Sequence, residues 1–482
     1  MGAVAYVADE LRLYGRRGRN LPQHEAILPS ILAGRETLSE ANRVVRNVWA
    51  ADSLRGRFAR GAVWSLIGAL IAQGANLAAS VITARLLGRE QFGKYGMIQS
   101  TVGMLGIFAG LGLGVTATKY VAEFRTRDPE RAGRIIALGC AVAIISGGLL
   151  ALALLGNAPM LAAATLNAPA LAGELRIAGI LLFFNALNGA QTGALSGFEA
   201  FRAIARINLV RGLIAFPITV AAVLLWRLSG AIWALAVTAA VTCLLSQLSL
   251  RQHCAALGIH PRLSGGWAER GILWTFSMPA FLSGALAGPA IWAANTMLVN
   301  QPGGYAEMGV FSAASQWRNA IAFIPAVLAQ SALPLLSNLN GERDVSRYAK
   351  ALRWNLILTA AAATIVAVPV ALGSPGIMRL YGRGFQQGWL VLTLSAVTAV
   401  ISCTNNVVGT AILSSGSVWV GFAFNAMWAV VLLAGCYRLV PTHLALGLAG
   451  SMLGAYLAHT LWQAAYLRHF LTRCSLISAN AN

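Results

Sequence analysis

The sequence predicts an all-α membrane protein of about twelve transmembrane helices, in two six-helix bundles related by a pseudo-two-fold axis along the membrane normal. Three observations predict it. Hydrophobic residues make up 57% of the 482 residues and charged ones only 11%, against about 25% charged in an average soluble domain. Apolar runs of about 20 residues, the length that crosses a hydrocarbon core, recur from Gly61 onward. The basic residues of a chain with net charge +20 fall mainly between those runs.

The elements follow in chain order. Residues 1–60 hold ten basic residues, with the run Arg16–Arg19, and no apolar stretch long enough for a signal peptide. They read as a cytoplasmic tail, partly disordered, with an amphipathic helix from about Glu36 that leads into the first span. Its charge suits anionic lipid head groups, with nucleic acid as the weaker alternative and no nucleic acid expected as a partner. The expected spans are 61–84, 96–117, 135–155, 175–196, 208–226, 230–250, 272–298, 309–336, 355–373, 388–413, 417–437 and 443–467. This gives a first bundle over 61–250, a cytoplasmic linker over 251–271, a second bundle over 272–467 and a short cytoplasmic tail over 468–482.

Charge chooses the orientation. Of the 36 Lys and Arg residues, 27 lie on the side of the tail and 7 on the other, with Arg176 and Arg318 left over. By the positive-inside rule both termini are cytoplasmic. The halves also resemble each other: RGAVWSLIGAL at Arg60–Leu70 matches RGILWTFSMPA at Arg270–Ala280 in its arginine, glycine and tryptophan. A repeat of this kind is a transporter design, with the pathway where the halves meet.

Soluble chemistry finds little support. None of the six cysteines forms a CxxC pair and the six histidines show no ligand spacing, so neither a metal nor another cofactor is expected. The longest outward loops are 156–174 and 373–388, and the first offers no acid/base pair. The chain reads as a non-enzyme, with a polysaccharide polymerase or ligase as the alternative from another class.

Polar side chains within spans carry the information, because lipid offers them no partner. Asn185, Asn188, Gln191, Thr192 and Ser196 recur in the fourth span at spacings of three and four, which reads as one helical face. Gln73 and Asn76 in the first span, Asn295 in the seventh, and Asn405 and Asn406 in the tenth add to them. For each residue the alternative is hydrogen-bonding glue between helices. Together they suit a water-filled lumen for a sugar, which presents many donors and acceptors and little charge.

No Asp or Glu sits at the centre of a span, so a cation-binding carboxylate of the drug-antiporter kind is missing. Any ion coupling falls to the span-end acids Glu174 and Glu199. Arg318 is the deepest charge, about eight residues into its expected span, or ~12 Å from the outer end. Its planar fork suits a phosphate or diphosphate, with Arg85 at the outer mouth as a second candidate. A structural role, reaching outward to a helix-end carbonyl, is the alternative for Arg318.

Four segments in order carry a family resemblance: ARLLGREQFGKYG (Ala84–Gly96), GALSGFEAFRAIARINL (Gly193–Leu209), ASQWRNAIAFIPAVLAQSALPLLS (Ala314–Ser337) and RLYGRGFQQGWLVL (Arg379–Leu392). They resemble the polysaccharide-biosynthesis flippases of the multidrug/oligosaccharidyl-lipid/polysaccharide exporter superfamily, over about Gly61 to Phe470. The resemblance implies a twelve-helix, two-bundle fold in a bacterial inner membrane and transport by alternating access. It implies a polyprenyl diphosphate-linked oligosaccharide as substrate, moved from the cytoplasmic to the periplasmic leaflet. A polysaccharide polymerase and a chain-length regulator are the implied partners. A peptidoglycan-precursor flippase and a drug/cation antiporter are the neighbouring alternatives. The long basic tail is not part of the family pattern.

Overall fold

The computed structural model describes residues 54–262, 269–272, 274, 277–329, 345–414 and 418–480. The expected amphipathic helix from Glu36 and most of the basic tail lie outside them. Among the described residues the chain is almost wholly helical and contains no strand. That is what the composition requires, since only internally hydrogen-bonded backbone is tolerated in lipid.

The helices are α1 Leu54–Gly110, α2 Leu113–Phe124, α3 Pro129–Met160, α4 Ala172–Gly197, α5 Phe201–Ala256, α6 Met278–Ala285, α7 Ala287–Val299, α8 Gly304–Ala329, α9 Val345–Leu372, α10 Ser374–Tyr381, α11 Trp389–Ser414 and α12 Val418–Asn480. Among the described residues, six of the helical stretches are long and apolar enough to cross a bilayer. The pair Ala72–Gly110 and Leu113–Phe124, bent by 42°, makes a seventh. The outward surfaces carry large aliphatic side chains such as Leu149, Leu152, Leu224 and Val430, each exposed by more than 60%.

Three long helices are broken. α1 breaks at Gly88 (φ 78°, ψ 170°), α5 at Trp226 and Arg227 (φ 50°), and α12 at Leu444 (φ 48°). A positive φ of that kind is unstrained at Gly88 alone. α5 and α12 reverse at their breaks. In a straight helix the backbones of residues eight apart are ~12 Å distant, yet a Cβ on Gly230 would lie 1.9 Å from the Ala222 carbonyl oxygen. One on Gly447 would lie 2.3 Å from that of Leu439. Elsewhere the ends follow local chemistry. Asp128 caps α3 by accepting from the Arg131 N–H at 2.9 Å, with Pro129 next and Glu130 in the first turn.

Several boundaries differ from expectation. The second span begins immediately after Gly88, not at 96, because its charged residues are paired: Lys94 with Glu90 at 2.8 Å and Arg89 with Glu307. The eighth starts at Gly304, five residues early. The seventh is divided into α6 and α7, with Leu286 between them. The expected C-terminal tail continues helical to Asn480. Of the expected linker, residues up to Ala256 are still helix and 263–268 lie outside the described residues.

The chain forms two compact units, Met1–Gly68 and Ala69–Asn482. The second expected bundle and the first from Ala69 onward belong to the second unit. α2 to α5 pack chiefly on one another, as do α6 to α12. One large buried cluster nevertheless joins them, running from Phe92, Leu182 and Ile232 to Tyr381, Leu392 and Leu448. We call the end with the turns at 125–128 and 257–259 the inner end, and the end with Arg227, Asn300–Gly303 and Gly382 the outer end.

The outer end is where the halves close on each other. Arg89 donates to Glu307 and, through Nε, to the Ala306 carbonyl at 2.9 Å. Tyr305 Oη donates to the Leu166 carbonyl at 2.7 Å and Asn300 Nδ2 to that of Thr165 at 3.0 Å. Gly93 lies so close to α8 that a Cβ there would meet the Tyr305 carbonyl oxygen at 1.8 Å.

Candidate functional site

A cavity of about 500 Å³ opens within the first half, between α1 past its break, α4 and both parts of α5. Its polar lining is Gln99, Asn185, Asn188, Arg211, Thr238 and Thr242. The two threonine hydroxyls bond to carbonyls of their own helix, at 2.7 Å each. Asn188 Oδ1 accepts from Ser246 Oγ at 2.9 Å. That leaves the exposed Asn185 amide, the exposed Arg211 guanidinium and the half-buried Gln99 amide, which also bonds to Tyr95, facing the space. Arg211 makes no ion pair or hydrogen bond among the described residues. It lies ten residues past Phe201, ~15 Å into a membrane-crossing helix. A cation at that depth is costly unless hydrated or matched, so the cavity suits an anionic, hydrogen-bonding ligand.

The structure brings Asn185 and Asn188 together but turns Gln191 away. Six residues past Asn185 is about 120° round the helix at 100° per residue, so Gln191 lines a separate apolar crevice and donates to Gln247 Oε1 at 2.8 Å. The expected single face therefore holds for Asn185, Asn188, Thr192 and Ser196 only, and Ser196 Oγ bonds back to the Thr192 carbonyl at 2.9 Å. Gln73 is half-buried and Asn76 exposed on α1.

Two other amides cross-link helices. Asn295 donates to Ser100 Oγ at 2.9 Å, joining α7 to α1, and next to it Trp292 Nε1 donates to Thr101 Oγ1 at 3.1 Å. Asn405 donates to the Tyr456 carbonyl at 3.1 Å and accepts from Thr460 Oγ1 at 2.9 Å, stapling α11 to α12.

Arg318 lies fourteen residues past Gly304, ~21 Å into α8 and deeper than the expected ~12 Å, because that helix begins earlier. It is half-buried, donates to the sulfur of Met452 and lies beside Tyr456. Arg85 donates to the Leu380 carbonyl at the outer end. Glu174 accepts from Ser229 at 2.9 Å and Glu199 pairs with Arg125 at 2.6 Å. Among the described residues no cluster of three or more His, Cys, Asp or Glu could hold a metal.

Sequence reasoning missed Arg211, which it counted with the inner loops, and Gln99. The signal was available: ten residues of helix separate Arg211 from the turn at Ala200. It also passed over His459, which is buried with Nε2 3.0 Å from Gln463 Nε2.

A polytopic helical protein, sealed at one end and holding an amide-and-arginine cavity at membrane depth, has the build of a carrier. The family model described as "Polysaccharide biosynthesis protein" matches residues 58–340, and the chain belongs to that family. It is similar to the EPS I polysaccharide export inner membrane protein EpsE of Ralstonia nicotianae, 26% identical over 403 residues, or 80% of this chain and 87% of that protein. It is also similar to the lipid III flippase of Escherichia coli (strain K12), 23% identical over 405 residues, 83% and 96% of the two chains. Its fold resembles that of an inward-facing multidrug resistance MATE family transporter of the MOP superfamily. The TM-score is 0.68 at 16% identity, covering 83% of this chain and 94% of that one.

Proposed function

We propose that this protein flips a polyprenyl diphosphate-linked oligosaccharide from the cytoplasmic to the periplasmic leaflet of a bacterial inner membrane, for exopolysaccharide, capsule or O-antigen assembly. It acts as a carrier and makes or breaks no covalent bond. The inner end, with both termini, faces the cytoplasm. Counting each broken helix as two crossings, α1 past its break with α2 as one and α6 with α7 as one, and leaving out the eight-residue α10, gives twelve. They form two six-helix halves related by a pseudo-two-fold axis along the membrane normal, which rock about the cleft between them.

The observation that carries this reading is the unpaired Arg211 in a cavity lined by amides. A lipid-linked saccharide joins an anionic diphosphate, a hydrophilic glycan and an apolar tail, and moving the first two through hydrocarbon is prohibitive. Arg211 takes the diphosphate, Asn185 and Gln99 replace hydration around the first sugars, and the tail stays in lipid. Arg318 supplies a second deep cation from the other half. The roles of the relatives, polysaccharide export and flipping of lipid III, support the same substrate class.

The test is reconstitution. In liposomes that hold this protein, a fluorescent polyprenyl diphosphate saccharide should become accessible to a membrane-impermeant quencher on the opposite face, and Arg211→Gln should abolish the change. Equal rates with and without the protein would overturn the reading.

A further inference from the structure

α4 separates two spaces. On the side opposite the amide-lined cavity, a crevice of about 610 Å³ runs between α3, α4 and the second part of α5 towards the inner end. That volume is in the range of ligand pockets, and its walls are apolar, among them Ile136, Ile144, Leu187 and Leu244. Ile144 and Leu244 are 47% and 59% exposed, so the crevice opens on the surface of helices long and apolar enough to cross a bilayer. What enters there comes from the lipid phase.

Three features make it more than a gap between helices. At its inner mouth stands Arg251, exposed and with no ion pair or hydrogen bond among the described residues. Arg131 and Arg134, at the start of α3, are by contrast matched to the buried Glu269 at 3.1 and 3.4 Å. One helical turn deeper, ~6 Å by the rise per residue, lies Gln247, whose Oε1 accepts from Gln191. Gln191 is 1% exposed, yet its Oε1 accepts no hydrogen bond among the described residues. A buried polar atom of that kind is costly to leave unmatched. Cation, amide pair and apolar trough follow one another from the inner end inward. The phosphate, ester linkages and hydrocarbon chain of a phospholipid have the same order.

We propose that this crevice is a binding site for one anionic phospholipid of the leaflet at the inner end. Its phosphate lies on Arg251, its glycerol-ester region against Gln191 and Gln247, and an acyl chain along Ile136, Leu187 and Leu244. The lone arginine selects an anionic head group. All three walls belong to the first half, so the lipid moves with that half and stays apart from the transported molecule, which the opposite face of α4 meets.

Native mass spectrometry of the full chain, delipidated in mild detergent, tests this without any transport measurement. The probes are dioleoyl phosphatidylglycerol and dioleoyl phosphatidylcholine. The wild-type protein should retain one phosphatidylglycerol about fivefold better than phosphatidylcholine, the effect expected of one arginine near an anionic lipid. Arg251→Gln should remove that preference. Cys243→Trp, which fills the crevice, should remove the bound lipid altogether. Arg202→Gln, an exposed arginine elsewhere at the inner end, should change nothing. If Cys243→Trp does not fold, Arg251→Gln and the comparison of the two lipids decide. Equal retention of the two lipids by the wild-type protein, or unchanged retention in Arg251→Gln, would overturn the proposal.

Discussion

Arg89, the residue after the break in α1, donates to Glu307 in the first turn of α8 and so ties one half of the chain to the other. Its Nε is engaged on the Ala306 carbonyl of the same turn. The carboxylate lies where the α8 N-terminus favours negative charge, so arginine, acid and helix end reinforce one another. Both side chains are about three-quarters buried, which shields the pair from solvent without removing it to the core.

Opening the outer end must break that pair. Glu307→Gln should weaken closure by about 1 kcal/mol, near the upper end for partly exposed pairs, and so shift the population towards the open form about fivefold. Spin labels on Ala168→Cys and Pro302→Cys, in facing loops of the two halves, should report a larger share of long distances. An unchanged distance distribution would count against Arg89–Glu307 as part of the closure.

Gly93 should be intolerant of any side chain. An alanine Cβ would stand 1.8 Å from the Tyr305 carbonyl oxygen and 2.8 Å from the Gly309 nitrogen, and neither is the movable end of a side chain. Gly93→Ala should insert at normal level yet lose transport, because the outer end no longer closes. Gly139→Ala, where nothing lies within 4 Å, is the control and should transport normally.

The two deep arginines should separate charge from fork geometry. Arg211→Gln and Arg318→Gln should each abolish polysaccharide export at matched expression. The Lys variants should retain part of it, since lysine keeps the charge and loses the bidentate donor. Full export by Arg318→Gln together with loss in Arg211→Gln would leave the anion to the first half alone, with Arg318 as a packing residue against Met452.

Asn405 should matter for stability more than for transport. Its amide bonds on both sides, to α12 at Tyr456 and Thr460, and such interhelical bonds contribute about 0.6–2 kcal/mol each. Asn405→Leu should lower the Tm in detergent while saccharide affinity stays unchanged. A fall in affinity at constant Tm would move Asn405 into the pathway.

Orientation can be read directly from reporter fusions. A reporter active only in the periplasm should be active when fused near Ala164 and silent near Asp128, as the 27-to-7 distribution of basic residues requires. The reverse pattern would invert every side assigned above.

What the sequence shows of this fold is its one-dimensional part. Hydropathy finds the helices, and the reversals at Trp226–Arg227 and Leu444 fall beside the expected gaps at 227–229 and 438–442. It misplaces ends where charge is matched by pairing: Arg89 reads as loop because Glu307, more than two hundred residues away, is invisible from its position, and Glu90 and Lys94 match each other one helical turn apart. Spacing placed Asn185 and Asn188 together. It failed for Gln191 because steps of three accumulate an angle of about 60° each on a helix of 100° per residue. Arg211 lies only three residues inside its expected span, 208–226, where hydropathy does not distinguish a loop charge from one within the helix. The partners of Asn295 and Asn405 depend on which helices pack together, which no local pattern contains.

The glycine contact between α1 and α8 has a consequence for the cell that houses this protein. Where Gly93 meets Tyr305 and Gly309, backbone lies on backbone, and no space is left there for a file of water. A carrier closed by contacts of this kind gives protons and salt no route along that seam between turnovers. Many copies can then reside in an energised membrane without draining its electrical potential.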